Sequence, residues 1–240
     1  MRVDKLLSHL GYGSRKDVKY LLKKGLFSVN GQTVKEGKVH VNPEEDELVL
    51  SGEPLHYRPY IYLMMNKPPG VLSATEDQSQ STVVDLLTDE DKLFEPFPVG
   101  RLDKDTTGLL LLTNDGKWAH SISSPKRKVE KTYQVQLAEP VTETMINALE
   151  SGVILDDGYQ TLPGKVVIPD ADSSLHKVHL SIQEGKYHQV KRMFAAVGNH
   201  VRQLKRIEIG NVTLDPTLQQ GEYRELSAEE IFLSGQVSEQ

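Results

Sequence analysis

The chain has 240 residues, 38% hydrophobic and 26% charged, with a formal net charge of −6. That is the balance of a soluble globular protein long enough for one small domain and one medium one. No stretch approaches the roughly 18 apolar residues of a membrane helix. Met1-Arg2-Val3-Asp4-Lys5 carries an acid with no long apolar run behind it, so a secretory signal is not expected. The lack of cysteine excludes disulfides, zinc-thiolate centres and cysteine nucleophiles, and a cytoplasmic location is the expectation.

The first helix is predicted from Val3, Leu6, Leu7 and Leu10, which recur at helical spacing before Gly11-Tyr12-Gly13 stops them. Ser14 then reads as an N-cap, with Asp17 at the capping-box position. Val18, Leu21 and Leu22 form the apolar stripe of a second helix. Arg15, Lys16, Lys19, Lys23 and Lys24 decorate it, and Gly25 ends it. Asn30-Gly31 between Phe27-Ser28-Val29 and Gln32-Thr33-Val34 predicts a hairpin. Leu48-Val49-Leu50 closes a module of residues 1–56, and Ser51, Gly52, Pro54 and Pro59 suit a linker.

A larger domain is expected over residues 60–235. Its predicted strands are residues 60–64, 109–113, 131–137 and 178–182, and its predicted helices are 142–149 and 189–197, the last stopped by Gly198-Asn199. Several strands with few helices between them predict an α+β fold with a largely antiparallel sheet. Order is not expected from Gln236 onward.

The charges are unevenly placed. No acid interrupts residues 186–206, which hold Lys186, Lys191, Arg192, Arg202, Lys205 and Arg206 together with His188 and His200. Lys126-Arg127-Lys128 is a second basic cluster, with Lys131 close behind, while acids gather at 44–47 and 89–91. Local basic surfaces on an acidic chain suit an RNA backbone while limiting indiscriminate binding.

Gly100-Arg101-Leu102-Asp103-Lys104-Asp105-Thr106-Thr107-Gly108 is a polar, turn-forming loop ahead of four leucines, and Asn114-Asp115-Gly116 reads as a tight turn beyond them. An acid at the mouth of a buried strand is held rigidly, which suits a catalytic carboxylate. Taken alone, Asp103 reads more readily as a turn cap. His176 and His179, three apart on a strand, fall on opposite faces and make a poor metal pair.

Gly100-Arg101-Leu102-Asp103 with Thr106-Thr107-Gly108-Leu109-Leu110 resembles the signature of the pseudouridine synthases. More narrowly, it resembles the branch acting on small-subunit and some large-subunit ribosomal RNA. Asn66-Lys67-Pro68-Pro69-Gly70, Glu130-Lys131-Thr132-Tyr133 and the run from Glu184 to Met193 match further family motifs in the family's order. Residues 1–50 resemble the small alpha-L RNA-binding domain. The resemblance implies isomerisation of a uridine in 16S ribosomal RNA, free or within a partly assembled small subunit, by a monomer that needs no cofactor and no metal. It implies that Asp103 acts on the sugar, either attacking C1′ or removing the C2′ proton. Lys191, where many relatives carry arginine, is favoured over Arg192 as its ionic partner. Tyr133 is expected to stack on the uracil, and Arg101 to contact phosphate or fill the gap of a flipped base. Lys67 is expected to serve either structure or RNA contact. Further RNA contacts are expected from Arg15, Lys16, Lys19, Lys126, Arg127, Lys186, His188, Arg192 and Arg202. The rival readings are the same reaction on 23S ribosomal RNA, a non-catalytic ribosomal-RNA-binding or assembly factor, and a glycosidase with Asp105 as its second acid.

Overall fold

The computed structural model describes residues 1–55, 57–169 and 174–234, so the expectation for the tail from Gln236 lies outside the described residues. The chain divides into two compact units: residues 1–61 with 88–95, and residues 62–87 with everything from 96 onward.

The first unit contains α1 (Val3–His9), α2 (Arg15–Lys23), β1 (Phe27–Val29), β2 (Gln32–Thr33), β3 (Leu48–Leu50), β4 (Glu53–Pro54) and α3 (Asp89–Lys92). A reciprocal capping box opens α2: the Ser14 hydroxyl accepts from the Asp17 amide, and the Asp17 carboxylate accepts from the Ser14 amide. Asn30 and Gly31 have φ of 50° and 75°, the left-handed pair that a two-residue hairpin turn requires. The four strands line up as β2-β1-β3-β4, and Leu6, Leu7, Val18, Leu22, Phe27, Leu48 and Leu50 pack into one core. Residues 88–95 belong with this unit, whereas linear order assigns them to the larger domain. The Phe94 ring lies 5.1 Å from the His9 ring and carries the Arg58 guanidinium at 5.0 Å. Such a return of the chain leaves no trace in local periodicity.

The second unit contains β5 (Tyr62–Lys67), β6 (Phe97–Pro98), β7 (Thr107–Thr113), α4 (Gly116–Ser123), β8 (Lys131–Leu137), α5 (Glu143–Ser151), β9 (Lys165–Val167), β10 (Lys177–Ile182), α6 (Gln189–Ala196), β11 (Val201–Ile209), β12 (Val212–Thr213), β13 (Tyr223–Glu225) and α7 (Ala228–Ser234). Its nine-stranded sheet runs β13-β5-β7-β11-β8-β10-β9, with β6 on β7 and β12 on β11. Only the β7–β11 pairing is parallel among these strands. Leu109, Leu110, Leu111 and Leu112 are all fully buried, because β7 is central and covered on both faces. Asn114-Asp115-Gly116 is not a plain tight turn. The Asp115 carboxylate accepts from the Lys117 and Trp118 amides and starts α4, a helix that periodicity did not predict. Among the described residues, no helix is long and apolar enough to cross a membrane.

Cross-strand partners share a sheet face. The register Lys67↔Gly108, Gly108↔Arg206, Arg206↔Tyr133 and Tyr133↔Leu180 therefore sets one row of side chains across five strands. Gly108 is required in that row. Its φ is +98°, and a Cβ there would stand 2.2 Å from the Arg206 carbonyl oxygen.

Lys67 is fully buried beneath the loop that carries Asp103. Its ammonium donates to the carbonyls of Pro68 at 3.0 Å, Lys104 at 3.3 Å and Thr106 at 3.0 Å. Burial draws that ammonium down to about 8, against the pull of Asp105 and Asp103. Ser73 holds the other side of the loop: its hydroxyl donates to the Leu102 carbonyl at 3.0 Å and accepts from the Leu102 amide at 3.1 Å. The RNA-contact role considered for Lys67 is therefore corrected. All three of its donors are spent inside the fold, shaping the loop.

Arg224 fastens α7 to the sheet by donating to Asp215 at 2.6 Å and to both Glu230 oxygens. Hydrogen bonds from Thr217 and Arg224 hold the Asp215 carboxyl down at about 2, below its ordinary 3.8. A depressed carboxylate stabilises the fold above its unfolded pKa and loses that contribution as pH falls through its folded pKa. Urea denaturation should thus show Asp215→Asn losing less stability than wild type between about pH 4 and pH 2. Lys67→Met should lower stability by about 2–4 kcal/mol, because three buried carbonyls lose their partner. The same denaturation assay measures it, and an unchanged midpoint would contradict the clamp.

Candidate active site

Asp103 sits in the clamped loop just ahead of β7. Tyr133 lies on β8, and Lys191 lies in the first turn of α6. The pocket between them is lined by Arg101, Leu102, Asp103, Thr106, Tyr133, Ile182, Gly185, Lys186, His188, Gln189, Val190 and Leu204.

The turn into α6 is built by a buried network. Glu184 accepts from the Tyr159 hydroxyl, from the Leu162 amide at 2.9 Å and from the Gln189 side-chain amide at 2.9 Å. Gln189 in turn accepts from the Lys186 amide at 3.0 Å. Glu184 and Gln189 were not singled out among the candidate site residues. Their signal was an acid and an amide five residues apart inside a recognised motif. His188, at the helix N-cap, has φ of 49°, a left-handed conformation uncommon for a residue with a side chain.

Lys191 and His188 face Asp103. Lys191 Nζ lies 3.5 Å from Asp103 Oδ2, and His188 Nε2 lies 3.6 Å from Asp103 Oδ1. The Lys191 ammonium also binds Asp105, at 2.6 and 2.9 Å, so it is shared between two acids. That hydrogen bond holds the Asp105 carboxyl below the usual range. Asp105 is thus committed to Lys191, not poised as the second acid of a glycosidase.

Arg192 points away from Asp103, as expected for adjacent residues about 100° apart on a helix. Its guanidinium binds Asp156 and Asp157 and donates to the Tyr187 carbonyl at 3.3 Å. Those two carboxylates raise its pKa above the ordinary arginine value. An RNA phosphate at Arg192 would have to compete with these two carboxylates. The basic run 186–206 is also not one surface. Arg206 is 3% exposed, and its Nε donates to the Leu109 carbonyl at 2.8 Å. Lys131, outside that run, donates to the Val129 carbonyl, and burial draws it down to about 8.

The other candidates remain accessible. Arg101 is exposed on the pocket rim, and Lys186 is exposed with its ammonium 4.3 Å above the Tyr159 ring. Lys126, Arg127 and Arg202 are exposed in the second unit, and Arg15, Lys16 and Lys19 are exposed on α2 of the first. Among the described residues, no group of three His, Cys, Asp or Glu side chains is placed to hold a metal ion.

A carboxylate with an ammonium beside it and an aromatic ring in one small pocket suit a planar base attached to a sugar. The carboxylate can attack an electron-poor carbon or take up a proton, while the ring stacks on the base.

Known proteins resemble this chain over nearly its whole length. The sequence model for the RNA pseudouridylate synthase family matches residues 61–196, and that for the S4 domain matches residues 1–48. The chain is 56% identical to the uncharacterized RNA pseudouridine synthase YtzG of Bacillus subtilis (strain 168), over 97% of this chain and 98% of that protein. It is 47% identical to ribosomal small subunit pseudouridine synthase A of Vibrio vulnificus (strain CMCP6), over 96% of this chain and 98% of that protein. The protein of the same name in Escherichia coli (strain K12) is 42% identical over the same shares. A crystal structure of a pseudouridylate synthase superposes with a TM-score of 0.68 at 39% identity, covering 98% of this chain and 99% of that one. All the residues lining this pocket except Leu204 lie within the span that the family model matches, and the chain belongs to the RNA pseudouridylate synthases.

Proposed function

We propose that this enzyme isomerises a specific uridine of 16S, small-subunit ribosomal RNA, and that Asp103 is its catalytic carboxylate. The observation that carries the reading is the placement of Asp103 at the pocket, between Lys191 and His188 and in the company of Tyr133. The small-subunit target is favoured by the names of relatives that match nearly end to end.

The reaction breaks the C1′–N1 bond, turns the uracil and joins C5 to C1′. The proton lost from C5 is balanced by one gained at N1, so no oxidant or group donor is consumed. Asp103 either bonds to C1′ as N1 leaves or removes the C2′ proton. An ionised carboxylate serves both routes, and the Lys191 ammonium stands 3.5 Å from it. Tyr133 stacks on the uracil while it is detached. Arg101, on the rim, occupies phosphate or the space left by the flipped base. The exposed cations of α2, with Lys126, Arg127, Lys186 and Arg202, hold the RNA backbone. The enzyme works where ribosomal RNA is made and assembled, the cytoplasm.

Asp103→Asn should keep RNA affinity and abolish pseudouridine, measured by mapping modified positions in a small-subunit ribosomal RNA transcript after incubation. Undiminished product would remove Asp103 from catalysis, and product only in large-subunit RNA would reassign the substrate. RNA affinity should fall steeply with salt, as several phosphate contacts demand. A flat titration between low and physiological salt would contradict the basic surface.

A further inference from the structure

Tyr187 is 76% exposed between two residues that line the pocket, Lys186 and His188, an unusual position for a ring that gains by leaving water. It is nevertheless held in place. One ring face stacks on His188, with centroids 3.8 Å apart and planes 20° from parallel. Its carbonyl accepts from Arg192, which Asp156 and Asp157 anchor from the neighbouring loop. His188, under the ring, reaches Asp103 at 3.6 Å. The result is a fixed aromatic shelf, open on its outer side and one residue away from the group that faces the catalytic carboxylate.

We propose that the outer face of Tyr187 is a stacking site for an unpaired nucleobase adjoining the target uridine. The proposal rests on the reading of this pocket as the uridine site. A base next to a flipped nucleotide loses a stacking neighbour, and an aromatic ring set beside the pocket replaces it. Such stacking is tolerant of base identity, so Tyr187 contributes affinity and placement more than sequence choice. The arginine anchor also gives Arg192 a purpose apart from phosphate binding: it fixes the shelf.

Steady-state kinetics on a small-subunit ribosomal RNA transcript should show Tyr187→Ala raising KM about 5- to 100-fold, with kcat nearly unchanged. Tyr187→Phe should match wild type. A Tyr187→Trp variant, made with Asp103→Asn and Trp118→Phe, reads the contact directly without turnover. Its indole fluorescence should be quenched by the transcript and not by a fully paired RNA duplex of similar length. Unchanged KM in Tyr187→Ala, or equal quenching by the duplex, would overturn the proposal. So would a fall in kcat alone, which would make the ring a support for His188. Loss of product in Asp103→Asn tests the uridine reading separately, since the quenching needs no catalysis.

Discussion

The buried ammonium of Lys67 is the constraint on which the pocket depends. A charge taken out of water is tolerated only where its donors are satisfied. Here three carbonyls of the surrounding turns satisfy them, and two belong to the loop that carries Asp103. The requirement works in both directions: the loop keeps the lysine hydrogen-bonded, and the lysine leaves the loop few other conformations. Ser73 fixes the Leu102 peptide from the other side. A carboxylate supported in this way is positioned as the chain folds, so the ordering cost falls on folding instead of binding.

Charge around Asp103 is distributed by geometry more than by count. Lys191 and Arg192 are adjacent, yet the helix turns one toward Asp103 and Asp105 and the other toward Asp156 and Asp157. Each cation meets a pair of acids, so negative charge exceeds positive in both clusters. An incoming phosphate must therefore compete with resident carboxylates for these two groups. The accessible cations elsewhere face no such competition from these pairs, which separates holding the RNA from acting on one nucleotide.

Much of the architecture was legible in local pattern. The capping box at Ser14, the Asn30-Gly31 turn and the alternation through residues 131–137 were visible because each depends on neighbouring residues. Long-range organisation was not. β11 was concealed because Arg202, Lys205 and Arg206 read as a basic surface, although Arg206 is sealed between strands. The return of residues 88–95 to the first unit, and the burial of Lys67, depend on contacts made across the sequence. Asp103, Tyr133 and Lys191 could be named together only through family motifs. No spacing rule brings residues 103, 133 and 191 to one place, and the physical case for Asp103 by itself did not exceed that of a turn acid.

The parallel pairing of β7 with β11 has a consequence for how the enzyme is born. β11 lies between β7 and β8, which precede it by dozens of residues in the chain. Until it inserts, those two strands cannot meet through it, and the row that joins Gly108 to Tyr133 is broken at Arg206. Contacts between distant parts of a chain close late because the intervening loop must first be ordered. A nascent chain that has emerged only as far as α6 already carries Asp103, Tyr133 and Lys191, yet lacks the strand that unites the two halves of the sheet. The first RNA-binding unit can be complete well before the chemistry is, so synthesis itself separates the capacity to recognise from the capacity to modify.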